Sequence, residues 1–507
     1  MTLEANPATY PSESSSQHSS EQHIDVVIVG AGLSGIGAAC YVQRRLPNKR
    51  FTLLETRGEV GGTWSLFRYP GVRSDSDMQT LGFSFRPWTS DKSIADAADI
   101  LGYIKETAEA YDIGEHIRYH HTLQRASWCS KEARWSLEVL KEGEPATLTC
   151  DFLYMCSGYY DYEAGYTPQW KNMAAYTGRL VHPQAWPADL GVKGKKMIVI
   201  GSGATAVTLV PELAKDAAHV TMVQRSPSYI AALPAEDELA KRLHRLLPSR
   251  LAHYLVRWKN LLGGMYVYQM SRWKPEVVKR SLIKEVQKEL GPDVDVETHF
   301  TPRYNPWDQR LCLAPDGDFF GALKSGDASV VTDEIDSFTE AGLRLASGEH
   351  VDADIIVSAT GLKLKMIGGV QLSVDGTPVD VADTLSYKGA MYSGVPNFAS
   401  ALGYTNASWT LKCELISKFV CRVLAYMDTR GYDVCTPRLP DTEVQTQPAI
   451  DLTSGYIERS AHLLPKQGEK KPWKIYQNYF QDVAALGYGS LEDEALEFGR
   501  LNDEVPN

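Results

Sequence analysis

The sequence lacks the long apolar runs that a membrane-spanning helix needs: no stretch of its 507 residues approaches the roughly 20 apolar residues that cross a bilayer. It also lacks an excess of basic residues, because 52 Lys and Arg stand against 63 Asp and Glu, for a net charge of −11. This balance argues against general nucleic-acid binding. No apolar run precedes Ile24, so we expect residues 1–22 to be a disordered tail rather than a signal peptide. These absences predict a soluble, cytoplasmic globular protein.

Closely spaced cysteines are also missing. The eight cysteines are scattered and contain no CxxC pair, so neither a zinc site nor a disulfide framework is expected, and reduced thiols are the default. There is no GxSxG elbow, no P-loop with a following Lys, and no HExxH zinc motif. His116 and His120 have i,i+4 spacing, but IRYHHTL predicts a strand, where such neighbours are too far apart to chelate a metal.

A first dinucleotide-binding motif begins at residue 30. The apolar run IDVVIV (24–29) predicts a buried parallel strand, and GAGLSG (30–35) follows it at once. The first glycine makes the tight turn, the second lets the pyrophosphate approach, and the third lets helix pack on strand. The next strand ends on Glu55, where an acid can accept hydrogen bonds from a ribose. The predicted contacts with this nucleotide are Gly30, Gly32, Leu33, Ser34, Gly35 and Glu55.

The same unit recurs at residue 201. MIVI (197–200) leads into GSGATA (201–206), where alanine replaces the third glycine, and the following strand ends on Arg225. Where the first copy has an acid, this one has a guanidinium, which suits the 2′-phosphate of NADP. The competing interpretation is that Arg225 is a solvated residue at a strand end. The predicted contacts with this second nucleotide are Gly201, Ser202, Gly203, Ala204, Thr205, Ala206, Arg225 and Ser226.

A second internal repeat supports two domains of one plan. The segments 151–158 and 354–361 each place an acid seven positions before a glycine, across an apolar strand. Because the chain leaves the first unit near Gly158 and returns near Gly361, the first domain must be discontinuous. We therefore expect an α/β fold with two Rossmann-like dinucleotide-binding domains. Their expected bounds are 23–165 with 355–507 for the first domain, and 166–354 for the second.

The second domain carries an insertion at about 234–290, in which basic residues alternate with Leu, Tyr and Trp. We predict that it is helical and forms a lid over a substrate tunnel, with its basic residues on the wet face. A partner surface or a weak, peripheral contact with a membrane remains an alternative.

The segment YTGRLVHPQAWP (176–187) lies between the two nucleotide motifs. Gly178 allows a backbone turn, and His182 can donate, accept or carry charge near neutral pH. The pattern aromatic-x-Gly-xxx-His-xxx-Trp-Pro resembles the fingerprint of Baeyer–Villiger monooxygenases, with Tyr176 where Phe is usual. For His182 alone, a satisfied core histidine would be the better interpretation. Flanked by two nucleotide motifs in this order, the fingerprint becomes specific.

Four further stretches carry the same resemblance: YPGVRSDSDM, NPWDQRLCLAPDGD, GYTNASWTLK and LPKQG. With the fingerprint, they look like a Baeyer–Villiger monooxygenase over roughly residues 24–480. They are most similar to the subgroup that includes a mycobacterial ethionamide-activating enzyme.

The resemblance implies that NADPH reduces a bound FAD, and that the reduced flavin and molecular oxygen then convert a ketone into an ester. The first domain would hold FAD and the second NADPH. Arg310 matches the active-site arginine of the family, and Asp75 matches the acid that positions it. The alternative for this pair is an ordinary buried ion pair. The family often has Lys directly before the arginine, and Gln309 in its place weakens the preference for NADPH over NADH without removing it.

The remaining expected flavin contacts lie in two short segments. The resemblance places Gly62, Thr63, Trp64 and Asp75 beside the cofactor, while Asn406 and Ser408 fit a turn that opens a helix at the flavin ring. Ser408 could equally be a plain helix cap.

Three functions stay open: a Baeyer–Villiger enzyme that also oxidises thioethers and thioamides, a flavin N- or S-monooxygenase without ketone activity, and a nucleotide-holding redox sensor. Nothing in the sequence predicts the oligomeric state.

Overall fold

The computed structural model describes residues 22–309, 311–442, 444–450 and 453–501. The tail expected over 1–22 lies outside the described residues, except that Gln22 begins the first strand. The strands are β1 (Gln22–Val29), β2 (Phe51–Leu54), β3 (Ile117–Arg118), β4 (His121–Cys129), β5 (Arg134–Lys141), β6 (Glu144–Met155), β7 (Arg179–Val181), β8 (Lys196–Ile200), β9 (His219–Gln224), β10 (Ile230–Leu233), β11 (Cys312–Pro315), β12 (Ala328–Thr332), β13 (Ile335–Phe338), β14 (Gly342–Leu345), β15 (His350–Asp352), β16 (Ile355–Ser358), β17 (Gln371–Val374), β18 (Thr377–Val379), β19 (Ser386–Tyr387), β20 (Met391–Tyr392), β21 (Phe398–Ser400), β22 (Val434–Pro437), β23 (Thr446–Pro448), β24 (Lys466–Gly468) and β25 (Leu496–Gly499). The α-helices are α1 (Leu33–Arg45), α2 (Thr63–Leu66), α3 (Met78–Leu81), α4 (Ala97–Ala110), α5 (Ala204–Ala214), α6 (Glu238–Leu246), α7 (Ser249–Trp273), α8 (Pro275–Leu290), α9 (Val296–Phe300), α10 (Asp318–Lys324), α11 (Trp409–Arg430), α12 (Gly455–Ser460) and α13 (Tyr479–Asp482).

Two sheets with parallel cores organise the molecule, as predicted. The first sheet contains the parallel order β3-β2-β1-β6-β21 and continues from β6 through the antiparallel strands β5 and β4 to β17 and β18. The second has the order β12-β9-β8-β16-β7, all parallel. The two parallel cores follow one plan, because β1 and β8 each lead into a glycine-rich turn. Each of them lies between the strand that follows the next helix, β2 or β9, and a later parallel strand, β6 or β16. The predicted α/β class with two Rossmann-like domains is confirmed.

The two domains obtain their fifth parallel strand from different parts of the chain. In the first domain β21 arrives late in the sequence, whereas in the second β7 precedes the glycine-rich turn. Strand β16 pairs with β8 and β7, with Ile355 opposite Met197 and Arg179. The second domain, expected to end at residue 354, therefore extends through Ser358, because this strand completes its sheet.

The strand predicted over IRYHHTL is wrong at its centre. Strand β3 ends at Arg118 and β4 begins at His121, with His120 at a φ of +56° in the turn between them. His116 ends a short 3₁₀ helix, where its ring stacks on Phe51 at 4.2 Å. His116 therefore lies at a helix end and His120 in a turn, on either side of β3, and not in one continuous strand.

The helical insertion predicted at about 234–290 contains α6, α7 and α8. Its attachment to the first domain is a buried ion pair, in which Arg257 of α7 lies 3.0 Å from Glu414 of α11. Arg257 also donates to the carbonyl oxygens of Gln79 and Gly82, at 2.7 and 2.8 Å. Breaking such a buried pair by removing one partner costs about 3–5 kcal/mol. The insertion thus belongs to the second domain in sequence but is anchored to the first. Among the described residues, every helix is too short or too polar to cross a bilayer.

Candidate active site

The first glycine-rich turn has a geometry that side chains would obstruct. Gly30 has a φ of +102°, and a Cβ there would lie 2.8 Å from the Cys156 carbonyl oxygen. A Cβ on Gly35 would lie 1.8 Å from the Gly30 carbonyl oxygen, so α1 packs directly on the turn. Helix α1 begins after Gly32, and no side chain caps its N-terminus. Its first amides are therefore placed to bind a phosphate.

A second pair of glycines closes this turn from the opposite side. Gly61 and Gly62 have φ values of +119° and +56°, and a Cβ on Gly62 would lie 3.1 Å from the Gly32 Cα. Thr63 follows at the start of α2, with its hydroxyl 3.4 Å from the Tyr162 hydroxyl. Backbone atoms rather than side chains therefore line the cavity on both sides, at the Gly32 turn and at the facing Gly61 and Gly62. This lets a cofactor approach closely.

Glu55, predicted as a ribose acceptor, is buried at the end of β2, with 7% of its surface exposed. One carboxylate oxygen accepts from the Ala31 amide at 2.8 Å, and the other accepts from the Arg57 amide at 2.9 Å. Each oxygen retains a second lone pair that a ribose hydroxyl can use. Glu55 thus holds the glycine turn in place as well as facing the nucleotide cavity.

The second glycine-rich turn is more open. Gly201 has a φ of +131°, and a Cβ there would lie 2.4 Å from the Ala359 carbonyl oxygen. By contrast, no atom lies within 4 Å of the Cβ position of Gly203, the residue before α5. The Ser202 hydroxyl donates to the Ser226 carbonyl at 2.9 Å. Arg225 is exposed at the end of β9, on the cavity wall.

The segment between Tyr69 and Arg73 reaches from the first domain to the second. Arg73 forms an ion pair with Asp318 of α10 at 2.5 Å. A Cβ on Gly71 would lie 2.2 Å from the Glu212 Cγ of α5. Burial raises the pKa of Tyr69 to about 12, so its hydroxyl stays protonated at neutral pH. This segment forms a direct contact between the two domains.

The chain passes between the two domains twice, in a first crossing at residues 159–166 and a second crossing at residues 361–365. These two crossings run side by side. Asp161 N–H donates to the Lys363 carbonyl at 2.9 Å, and Lys365 N–H donates to the Tyr159 carbonyl at 2.9 Å. At the other end, Tyr166 N–H donates to the Gly361 carbonyl at 3.1 Å. Any rotation of one domain against the other must therefore bend this two-stranded connection.

His182 of the fingerprint stabilises that connection through hydrogen bonds. It follows β7, and its Nε2 lies 3.2 Å from the Gly361 carbonyl oxygen, while its Nδ1 accepts from the Gln184 amide at 3.2 Å. These partners assign the proton to Nε2. Burial lowers the pKa of His182, so the ring is neutral at pH 7. Gln184 also donates from its side chain to the Asp161 carbonyl at 2.8 Å. The fingerprint thus contacts both crossings.

The predicted catalytic pair is described only in part. Asp75 is exposed on the cavity wall, and Gln309 lines the same cavity. Arg310 lies outside the described residues, so its prediction from the motif stands without a structural account.

Asn406 and Ser408 are held by the protein rather than facing the cavity. The Asn406 side chain donates to the Gln477 carbonyl at 2.9 Å. Ser408 is the residue before α11, but its side chain makes no cap hydrogen bond and instead lies 2.6 Å from the Thr80 hydroxyl. Their neighbours Ala407 and Trp409 line the cavity instead. Contact through these two side chains therefore stays a prediction, and the plain helix-cap alternative for Ser408 lacks its hydrogen bond.

Both glycine-rich turns open into one cavity of about 1350 Å³. The predicted residues on its wall are Gly30, Gly32, Leu33, Ser34, Glu55, Gly62, Thr63, Trp64, Asp75, His182, Gly201, Ser202, Gly203, Ala204, Thr205, Arg225, Ser226 and Gln309. Gly35 and Ala206 are buried behind the turns and serve packing. Two glycine turns, each followed by a helix N-terminus without a side-chain cap, fit two dinucleotides facing each other.

Sequence reasoning missed the tyrosines of the first crossing. Tyr159 stacks on Trp409 at 5.1 Å, and Trp409 donates to the Ser34 hydroxyl at 2.9 Å. Tyr162 and Tyr166 also line the cavity. The signal was present in YYDYEAGY (159–166), where four tyrosines follow the glycine that ends the first unit. Such aromatic density in a connection indicates a buried role rather than a solvated loop.

Comparisons with known proteins agree with this geometry. The flavin-binding monooxygenase-like family model matches residues 23–276. The FAD-containing monooxygenase EthA of Mycobacterium tuberculosis is 50% identical over 480 residues, which cover 94% of this chain and 98% of that protein. Among solved structures, cyclohexanone monooxygenase from Rhodococcus sp. Phi1 bound to NADP⁺ matches with a TM-score of 0.73 at 18% identity, covering 95% of this chain and 100% of that one. A steroid monooxygenase bound to NADP matches with a TM-score of 0.72 at 20% identity, covering 94% and 100%.

The last two matches show the fold, and the first two show the family. The chain therefore belongs to the flavin-binding monooxygenase-like family and shares its fold with these two NADP-bound monooxygenases.

Proposed function

We propose that this enzyme converts ketones into esters and also oxidises sulfur in thioethers or thioamides. One observation carries the proposal: both nucleotide turns, His182 and the wall formed by Asp75 and Gln309 face one cavity. In the net ketone reaction, one atom of O₂ enters the bond between the carbonyl carbon and a neighbouring carbon. The other atom leaves as water, and NADPH supplies the electron pair.

FAD, when bound on the first turn, supplies the chemistry that activates molecular oxygen. The chain's own residues bind and orient it. The amides at the start of α1 bind its diphosphate, and Glu55 accepts from its ribose. Trp409, held by the Ser34 hydroxyl and by stacking on Tyr159, forms part of the wall beside it.

Arg225 gives the second turn its preference for NADPH. Its exposed guanidinium at the end of β9 can form charge-assisted hydrogen bonds with a 2′-phosphate. NADH lacks that phosphate and gains nothing from the contact. Gln309 cannot add a second positive charge, so Arg225 provides most of the discrimination.

Arg310 stabilises the negative charge that develops on oxygen during the reaction with a ketone. A guanidinium is permanently charged, and its donors are planar and preset, so it suits this role better than an ammonium. Asp75, which lies on the cavity wall, matches the acid that positions this arginine in the family. These roles come from the matching motifs in the family.

The direct test is product analysis of the purified enzyme with FAD, NADPH and isotopically labelled oxygen gas. Substrates are a linear methyl ketone, an aryl methyl ketone and a thioether. We expect esters and a sulfoxide, each carrying one labelled atom. Sulfoxide without ester would favour an N- or S-monooxygenase, and hydrogen peroxide without either product would favour a redox sensor.

Arg310→Ala tests the assignment of the arginine. We expect ketone oxidation to fall about a hundredfold, as for loss of an oxyanion donor. NADPH-dependent flavin reduction should survive better, because it builds no comparable anion there. Asp75→Ala should be milder, since it loosens the guanidinium without removing it. Arg303→Ala, at an exposed arginine of the same segment, is the control. Ester formation by Arg310→Ala at the wild-type rate would refute the role.

A further inference from the structure

The outward face of α7 carries a stripe of apolar side chains. The exposed large hydrophobic residues of this helix are Leu251, Tyr254, Leu255, Leu262, Tyr266, Val267 and Trp273. At 100° per residue all of these positions except Val267 fall on one stripe, which lies opposite the face that carries the buried Val256 and Arg257. Tyr266 is 67% exposed and Trp273 is 71% exposed. An amphipathic helix normally turns such a stripe inward, whereas α7 packs its other face against the protein and leaves this apolar stripe exposed.

Exposed apolar surface is concentrated on the helical insertion. Ten of the seventeen exposed large hydrophobic residues in the described part of the chain lie between Leu239 and Val277. Leu246, at the end of α6, is 79% exposed and adds to the stripe of α7. Scattered apolar residues on a surface need no explanation, whereas a cluster of this kind marks an interaction site.

The patch continues onto the first domain. Trp258 of α7 stacks on Phe480 of α13 with ring centroids 6.0 Å apart, and Phe480 is itself 46% exposed. Because Arg257 and Glu414 fix α7 from behind, the two elements form one continuous surface. The apolar face therefore belongs to a fixed surface and not to a loose flap.

The same block is basic within an acidic protein. Residues 234–290 contain twelve Lys and Arg against six Asp and Glu, while the whole chain has 52 against 63. Arg242, Arg245 and Arg250 are exposed and form no salt bridge with any described residue. The insertion thus combines positive charge with apolar and aromatic side chains, and the rest of the chain carries the negative charge.

We propose that this face binds the surface of an anionic lipid bilayer, with α7 lying flat in the interface. Helix α7 has 25 residues, which span roughly 37 Å at about 1.5 Å per residue. Tyr and Trp rings suit the level of the headgroups, and the neighbouring arginines attract anionic lipid.

The charge distribution favours this partner over a second copy of the chain. Pairing this face with itself would bring two strongly basic surfaces together, at a cost in repulsion. The proposal does not depend on ketone chemistry, because none of these residues lines the nucleotide cavity.

The test is flotation of the FAD-loaded enzyme with vesicles of phosphatidylcholine, with and without phosphatidylglycerol. We expect binding to the anionic vesicles, weaker binding at high salt, and little binding to phosphatidylcholine alone. The combined change Leu246→Glu, Tyr266→Glu and Trp273→Glu should lower partitioning about tenfold or more. Changing Arg242, Arg245 and Arg250 to Ser should lower it by a similar factor. Both variants should retain FAD and turnover of a small substrate.

Leu439→Glu, at an exposed leucine after β22, is the matched control and should bind like wild type. Wild-type enzyme that fails to float with anionic vesicles would overturn the proposal. So would a wild-type oligomer, measured by sedimentation, that the Glu variant dissociates while lipid binding is absent; the face would then join two copies of the chain. Equal binding to neutral and anionic vesicles would also overturn it, because the basic residues would then have no role.

Discussion

The two nucleotide turns share one strand plan but differ in how closely the protein surrounds them. The first is enclosed: Gly62 faces Gly32 across the turn, and the carboxylate of Glu55 is buried. The second is open, because nothing lies near the Cβ position of Gly203 and Arg225 is exposed. An enclosed site suits a cofactor that stays bound, and an open one suits a cofactor that exchanges. This difference explains how one repeated fold can hold a resident FAD and still exchange NADPH.

The largest expected effect comes from exchanging the residue at the third glycine position of the two motifs, Gly35 and Ala206. Gly35→Ala should prevent FAD retention, because its Cβ would lie 1.8 Å from the Gly30 carbonyl oxygen. Ala206→Gly, at the equivalent position of the second turn, should retain FAD and cost about 1 kcal/mol of helix stability. The measurements are the flavin-to-protein absorbance ratio after gel filtration and the unfolding free energy. A fully flavinated Gly35→Ala protein would contradict the enclosed site.

Arg225→Ala should raise the KM for NADPH by about tenfold or more, because a charge-assisted contact with the 2′-phosphate is lost. FAD content and the KM for NADH should not change, since neither depends on that phosphate. Steady-state kinetics with both nucleotides measure the effect, and Arg344→Ala, an exposed arginine of β14, is the control. An unchanged ratio of NADPH to NADH efficiency would return Arg225 to a solvated strand end.

His182→Ala tests whether the fingerprint couples the two domains. We expect a folded, flavinated protein that has lost most oxygenation. The reason is that the hydrogen bonds of His182 to the Gly361 carbonyl and the Gln184 amide, which connect the two crossings, are removed. The kcat should fall more than the KM for NADPH rises, and His182→Asn should restore part of the kcat by providing an amide. A variant that loses only thermal stability would assign His182 a structural role.

The smallest effect concerns pH and the attachment of α7 to the first domain. Burial, together with the charge of Arg257, lowers the pKa of His253 from 6.5 to about 4, and its Nδ1 bonds the Gln79 side chain. The unfolded chain therefore binds a proton that the folded protein does not, and stability should decline as the pH falls from 6.5 towards 4.

His253→Gln should flatten this part of the profile of melting temperature against pH, and His350→Gln, at an exposed histidine, should not. Equal slopes for wild type and His253→Gln would show that this ring does not titrate on unfolding.

Local sequence patterns were enough to predict the two nucleotide folds. Glycine turns, buried parallel strands and the residues at strand ends are properties of short segments, and Glu55 and Arg225 lie where the motifs put them. The end of the second domain was misplaced, because nothing local shows that residues 355–358 pair with β7, whose sequence comes much earlier.

Contacts between distant segments could not be predicted in the same way. The pair Arg257 and Glu414 is separated by 157 positions, and Arg73 and Asp318 by 245. Each residue looks like an ordinary charged surface residue in its own segment. Only the packing of two domains brings the partners together, and it buries the first pair and half-buries the second.

The most direct test of the account is anaerobic mixing of the purified enzyme with NADPH, followed by the flavin absorbance in a stopped-flow instrument. If one cavity joins a resident FAD to an exchanging NADPH, the protein should arrive already yellow and bleach rapidly with NADPH. Bleaching with NADH should be much slower, and colour should return when oxygen is admitted. A protein that purifies without flavin, or whose flavin stays oxidised in the presence of NADPH, would contradict the account.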